Sequence, residues 1–398
     1  MDPEASVHED AGGGAGAPFR LMLLISNLEF GGAQRQVVEL ANNLDPSRVE
    51  VTVCSLSPYV PLGDALHRQA ERLCVIEKRF KYDASVVPRL ARLLAARRID
   101  VLQSYLFDAD IAARLAGRLA GTPLVVGSER NTDYYLKRIQ LLAYRLTRGL
   151  VDLVVANSHA GAAFNSGKLG HDRSMYRVVH NGVDAVRFHP GDAAAAKAAL
   201  GLPPETPVVG MFASFKEQKN HPLLFAAAGR LLDRFPALSL LLAGDELHRG
   251  MHGSRDYKGQ MDQRIDELGL RPHCLLVGNR PDVERLYPAC DLTVLPSLFE
   301  GAPNVALESM SCGVPVVVTD VSDNRIIVPD GRAGFVVPLG DDAQMADRIG
   351  LLLSDPALRA RMGTEARAWI EERFSSRRLA EKTEQVYREA LSRTTRRR

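Results

Sequence analysis

The chain has 398 residues, too many for one ordinary domain, and is 46% apolar, 25% charged and 6% aromatic; it can build cores of normal size without covalent staples. Its five cysteines are scattered and odd in number, with no C-x-x-C pair, which excludes a disulfide framework or zinc ribbon and suits a reducing compartment. The net charge of +2 is unevenly divided: residues 19–180 carry 22 Lys+Arg against 15 Asp+Glu, net +7, and residues 181–398 carry 28 against 29, net −1.

In chain order, the acidic, Gly/Ala-rich start (residues 1–18) lacks the basic and apolar regions of a signal peptide. It reads as a disordered tail on a cytoplasmic protein. From residue 19 to 180 short apolar runs, "RLMLLIS", "VEVTVCSL", "RLCVIE", "IDVLQS", "PLVVGS", "DLVVANS" and "MYRVVH", alternate with amphipathic stretches. That alternation predicts buried parallel strands and covering helices in a doubly wound α/β domain. "HNGVDAVRFHPGD" (180–192) reads as a linker. The alternation then restarts with "PVVGMFAS", "LSLLLAG", "HCLLVG", "DLTVLPS", "PVVVTD" and "AGFVVP". Two Rossmann-like domains are therefore expected, 19–180 and 181–373, with ligands bound beyond the carboxyl ends of the strands. Residues 374–398 are read as a returning helix with a basic tail, and everything from 355 on as helical.

Three stretches suit an anion. Gly31-Gly32 follows the first strand and opens a helix, where backbone amides can approach a phosphate, although a tight turn explains the pair equally well. Lys216 and Lys219 lie in the loop after the first strand of the second domain; an isolated K-x-x-K is ordinarily just a solvated loop. In "EGAPNVALESMSCGVPVV", Pro303 fits a first helical turn. The amides near Asn304 and Val305 then face outward, and Gly313 ends the helix.

Together, "GGAQRQ", "HNGVDAVRFHP", "KEQKNHPLL", "LLAGDE", "VGNRPDVERLYPACDLTVLPS" and "EGAPNVALESMSCGVPVV" resemble, in order, the motifs of the retaining GT-B glycosyltransferases of family 4 (glycosyl transferases group 1). The resemblance runs from residue 20 to about 392. It implies a GT-B fold whose terminal helix crosses back to the N-terminal, acceptor-binding domain. It implies that Glu308 accepts hydrogen bonds from the donor ribose and that Glu300 faces the transferred sugar. Gly301, Ala302, Pro303, Asn304 and Val305 would hold sugar hydroxyls and phosphate through their backbone. Lys219 would bind the diphosphate, Val283 would lie near the base and Gly32 near the phosphates or acceptor. Many relatives carry an arginine where this chain has Ser214, and Lys216 is the candidate replacement. Glu129, Arg130 and Asn131, with Gly31, are the acceptor-side candidates.

The expected donor is a UDP- or GDP-sugar and the expected acceptor a glycan or lipid-linked sugar, with no cofactor, no protein-held metal and no nucleic acid. Alternatives are a non-catalytic sugar-nucleotide binder, a GT-B 2-epimerase or phosphorylase, and a glycosidase using Glu300 and Glu308 as its pair. The basic helices "SVVPRLARLLAARR" and "YYLKRIQLLAYRLTRGL" suit peripheral contact with an anionic membrane, and equally an ordinary charged outer face. His180, His189, His221, Trp369 and Tyr387 are expected to cap or pack.

Overall fold

The computed structural model describes residues 17–80, 83–131, 136–246 and 256–395. Most of the N-terminal tail, the last three arginines and the Tyr-Tyr opening of the second basic helix lie outside the described residues. The strands β1 (Phe19–Ile25), β2 (Val49–Ser55), β3 (Leu73–Val75), β4 (Val101–Tyr105), β5 (Leu124–Glu129), β6 (Leu153–Ala156) and β7 (Tyr176–Val178) form one sheet in the order β3-β2-β1-β4-β5-β6-β7. A second sheet has the order β10-β9-β8-β11-β12-β13, from β8 (Val208–Phe212), β9 (Ser239–Ala243), β10 (Cys274–Gly278), β11 (Leu292–Leu295), β12 (Val316–Thr319) and β13 (Gly334–Val337). The pairings are parallel, as in Phe19↔Val49 and Leu21↔Val101 around β1 and Val208↔Ser239 and Leu292↔Val209 around β8.

Each sheet starts at an interior strand, runs to one edge, then jumps to the other side. Every apolar run read as a strand becomes one; the interior strands are covered on both faces and show little polar alternation, while the edge strands β3 and β10 stay largely half-buried. Along β8, Val209 and Met211 pack with Leu224 and Phe225 of the helix His221–Gly229. Val208 and Phe212 face the opposite side, with Leu307 and Met310 of the helix Asn304–Ser311. Each such side chain, fully buried, contributes roughly 1.5–3 kcal/mol. The two helices that follow β8 and β11 are thereby clamped on opposite faces of one sheet.

The chain falls into two compact units. One holds the described residues of Met1–Gly127, Gly149–Asp152 and Ala380–Arg398, and the other Ser128–Arg148 and Leu153–Leu379. In the first, Tyr387 is fully buried edge-on to Phe19 at 6.1 Å, and its hydroxyl meets Gln103 Oε1. The C-terminal region is not helical throughout. Helix Pro356–Arg373 ends at Phe374, and a second helix runs Ser376–Thr395. At the break the Val183 amide donates to Phe374 O (2.9 Å) and the Ser376 amide to Val183 O (2.9 Å). The expected linker is thus stitched into the second unit. Gly182 permits this, since a Cβ there would lie 2.9 Å from Ser376 Cα. Among the described residues no helix is long and apolar enough to cross a membrane.

Candidate functional site

In the second sheet the strand order reverses between β8 and β11, so the helices after these strands leave toward opposite faces, and the loops at the strand ends border the crevice where open α/β sheets take ligands. After β8 the chain is held by Ala213 N to Ala243 O (2.9 Å) and Phe215 N to Asp245 O (3.1 Å). Gly244 has φ 147°, and a Cβ there would meet Ala213 O at 2.0 Å, so only glycine fits. A 3₁₀ turn, Glu217–Lys219, and a left-handed Asn220 (φ 51°) then start the helix His221–Gly229. This loop is sewn to the one after β11: Leu298 N donates to Gln218 O (2.8 Å), Gln218 Nε2 to Phe299 O (2.8 Å) and Asn220 Nδ2 to Pro296 O (3.1 Å).

That stitching sets Lys219 against Glu300. Lys219 Nζ lies 2.5 Å from Glu300 Oε1, which also accepts from Ser297 Oγ at 2.7 Å. The Glu300 backbone is fixed by Ser322, whose Oγ accepts from Glu300 N (3.1 Å) and donates to Glu300 O (2.6 Å). Lys216, half-buried beside this pair, has its pKa lowered to about 8, by burial first and then by Lys219, with Glu300 opposing. His221 is buried and stacked on Phe215 at 4.5 Å. Burial and then Lys219 lower its pKa to about 3, so it is a neutral packing residue, as expected.

The helix Asn304–Ser311 begins one residue later than the sequence suggested. Pro303 is its N-cap (φ −74°, ψ 116°) rather than part of its first turn, with no side-chain cap on the helix amides. Proline suits that place because its fixed φ matches the extended cap conformation. Gly313 ends the segment at φ 70°. Glu308 is buried in this helix and accepts from Tyr287 Oη at 2.7 Å. Tyr287 is held by stacking on Phe212 at 4.0 Å. Val283 opens the short turn Val283–Arg285 and packs on the same core. Ser214 sits half-buried between the two anchored residues of the β8 loop.

Of the acceptor-side candidates, Arg130 reaches this site. Its guanidinium donates to Asn181 Oδ1, while Asn181 Nδ2 donates to Ala302 O and Asn304 Oδ1, both at 2.6 Å. Arg130 O accepts from Asn157 Nδ2 at 3.0 Å. A Cβ on Gly301 would lie 2.4 Å from Asn157 Oδ1 and 2.8 Å from Arg130 O. Glycine is required there by close approach. Glu129 is buried and accepts from Asn165 Nδ2 (3.0 Å), which also donates to Asn131 O (2.9 Å); these two tie a strand end to the helix His159–Leu169. Gly31 is the N-cap of the helix Gly32–Asn43, with Gly32 its first residue, in the first unit.

The sequence reading missed Asn157, Asn181, Ser297, Tyr287 and Ser322. Asn181 and Tyr287 stood inside quoted motifs, but nothing in a linear motif says which carbonyl an amide will meet. It also missed Asp323, whose carboxylate accepts from His180 Nε2 (2.8 Å), His159 N (2.7 Å) and Ala160 N (3.0 Å). Burial alone would raise this carboxyl, but the His180 ring and the two amides outweigh it and hold it below the usual range. The potential ligand atoms of His159, His180 and Asp323 lie within 4.8 Å of one another, and they could hold a metal ion. Their separation in sequence hid the group.

Comparison with known proteins agrees with the fold. The family model described as Glycosyltransferase Family 4 matches residues 30–187, and that described as Glycosyl transferases group 1 matches residues 192–369. A D-inositol 3-phosphate glycosyltransferase of Streptomyces bingchenggensis is 32% identical over 252 residues, 61% of this chain and 54% of that protein. The chain therefore spans about half the length of the first curated relatives it matches. EpsF of Bacillus subtilis is 26% identical over 375 residues, 89% of this chain and 91% of its own. Anabaena HepE, solved with UDP-glucose, superposes with a TM-score of 0.79 at 23% identity, covering 94% of this chain and 99% of that one. Two parallel Rossmann-like sheets and two adjoining family matches identify the chain: it belongs to the GT-B glycosyltransferases of family 4.

Proposed function

We propose that the protein is a retaining hexosyltransferase that moves a sugar from a nucleoside diphosphate to a glycan or lipid-linked acceptor, in the synthesis of cell-surface polysaccharide or glycolipid. The observation that carries this reading is the stitched pair of loops at the β8/β11 reversal, with Lys216 and Lys219 beside Glu300. Two buried or half-buried cations in one small crevice repel each other, and a diphosphate would neutralise both. HepE, which binds UDP and UDP-glucose, supports the donor class.

In this reading Lys219, Lys216 and the N-terminal amides of Asn304–Ser311 stabilise the charge that develops on the leaving phosphate as the glycosidic C–O bond breaks. The electron pair leaves with the nucleoside diphosphate. The acceptor oxygen bonds to the same face of the sugar, and its proton passes to a departing phosphate oxygen. Glu300 steers the sugar and, through its ion pair, Lys219. Glu308, oriented by Tyr287, takes the ribose hydroxyls. The amide cradle on Gly301 is held open by Asn157, Arg130 and Asn181. No metal is required by this scheme. The protein acts in the cytoplasm, in peripheral contact with the membrane.

Ser214, standing where many relatives have an arginine, favours a second reading, a protein that binds a sugar nucleotide without transferring it. A panel of UDP- and GDP-sugars, scored for nucleotide release without acceptor and for transfer with one, tests both. Release from one donor, accelerated by acceptor, is the expected result. Binding with neither would favour the second reading.

A further inference from the structure

The two basic, apolar-rich helices singled out in the sequence differ in the fold. In Val86–Ala96 the apolar positions Val86, Leu90 and Leu94 are buried, so its charged outer face is ordinary. In Arg138–Leu146 only Tyr144 is buried. Ile139, Leu142 and Leu146 are 67%, 55% and 75% exposed. Spaced three and four apart, they form one outward face of the helix.

Water is a poor solvent for three adjacent aliphatic side chains, and a lone stripe of this kind calls for a cover. Its chemistry is indicated by what flanks it. Arg138 and Arg145 are exposed along the stripe, and exposed Lys137 and Arg148 stand at its two ends. Arg145 and Arg148 are aimed by the carbonyls of Lys168 (3.3 Å) and Gly170 (3.5 Å) rather than by carboxylates. Residues 136–177 hold seven Lys+Arg against two acids, Asp152 and Asp172. Asp152 is already taken by Val125 N and Arg118, and Asp172 by Ser174 N.

We propose that the helix Arg138–Leu146 docks the protein on an anionic lipid bilayer. Ile139, Leu142 and Leu146 enter the boundary between headgroups and acyl chains, and Lys137, Arg138, Arg145 and Arg148 meet the lipid phosphates. A single short helix with three aliphatic anchors gives reversible, salt-sensitive attachment, because the charge attraction is screened within about 8–10 Å near physiological ionic strength. The inference rests on the peripheral contact proposed above and is independent of whether transfer occurs.

The test is co-sedimentation of the full chain with vesicles of about 30% phosphatidylserine in phosphatidylcholine, against phosphatidylcholine alone, with no donor or acceptor present. Binding is expected only on the anionic vesicles, and it should fall as salt rises. The double substitutions L142D/L146D and R138E/R145E should each lower partitioning by about tenfold or more, with the thermal unfolding midpoint unchanged. Arg92→Glu, on the helix whose apolar face is covered, should leave partitioning as it was. Absence of binding to anionic vesicles at low salt, or undiminished binding by L142D/L146D, would overturn the proposal. So would a concentration-dependent dimer that L142D/L146D abolishes, since the face would then belong to a second copy.

Discussion

Raising the pH from 7 to 9 should weaken binding of a nucleoside diphosphate about tenfold, through one lysine. Lys216 has a pKa of about 8 in the ligand-free protein, lowered by burial and then by neighbouring Lys219, with Glu300 opposing. At pH 7 it is therefore about nine-tenths charged and at pH 9 about one-tenth. A bound diphosphate places negative charge beside it and returns the pKa toward about 10.4 or above, so the complex keeps the proton across this window. The sign follows: the ligand selects the protonated form, so affinity is full below about pH 7 and declines above about pH 8. The loss between pH 7 and 9 is about 1.4 kcal/mol. Binding should take up about half a proton at pH 8 and about 0.9 at pH 9. Calorimetry in two buffers of different ionisation enthalpy measures both quantities. Lys216→Gln should bind more weakly at pH 7 and lose the slope. A wild-type affinity that is flat from pH 7 to 9 without proton uptake, or a slope that survives Lys216→Gln, would refute the assignment of Lys216 to the phosphate.

The two glutamates should separate. Glu308→Gln should weaken the bare nucleoside diphosphate about 10- to 150-fold, the range of a charged hydrogen bond at about 1.5–3 kcal/mol. Glu300→Gln should spare that affinity, or raise it as Lys219 loses its carboxylate, while lowering kcat with the sugar nucleotide; the reverse pattern in calorimetry and steady-state kinetics would exchange their roles. Gly301→Ala forces a methyl against Asn157 and Arg130 O, and overpacking of this kind costs about 1–3 kcal/mol. A lower melting temperature together with weaker nucleotide binding is expected, and an unchanged melting temperature would mean that the loop moves freely. Transfer should persist in chelator. Loss restored by manganese or magnesium would contradict this, and substituting His159 and His180 would test whether their cluster with Asp323 is where the ion binds.

The sequence by itself determined the architecture, because a strand covered on both faces is mostly apolar along its length and a covering helix on only one side. Those periods differ, and they were legible from β1 to β13. It also determined local turns, since glycine and proline have local consequences: Gly313, at φ 70°, follows the last turn of the helix Asn304–Ser311. Pro303 was off by one residue because a cap and a first turn accept the same φ. Only the tertiary structure decided which groups meet. Lys219 finds Glu300 across 81 residues, through the loops after β8 and β11; Tyr287, ahead of β11, meets Glu308, and Asn181 joins Arg130 to Ala302 and Asn304, residues that follow three different strands. His180 and Asp323, 143 residues apart, were invisible for the same reason. The two basic helices were ambiguous for another: Val86–Ala96 and Arg138–Leu146 both mix arginine with aliphatic residues, and burial depends on what packs against each. In the first helix the apolar side chains lie under neighbours, and in the second they stay in water, a difference that belongs to the packing and not to the residues.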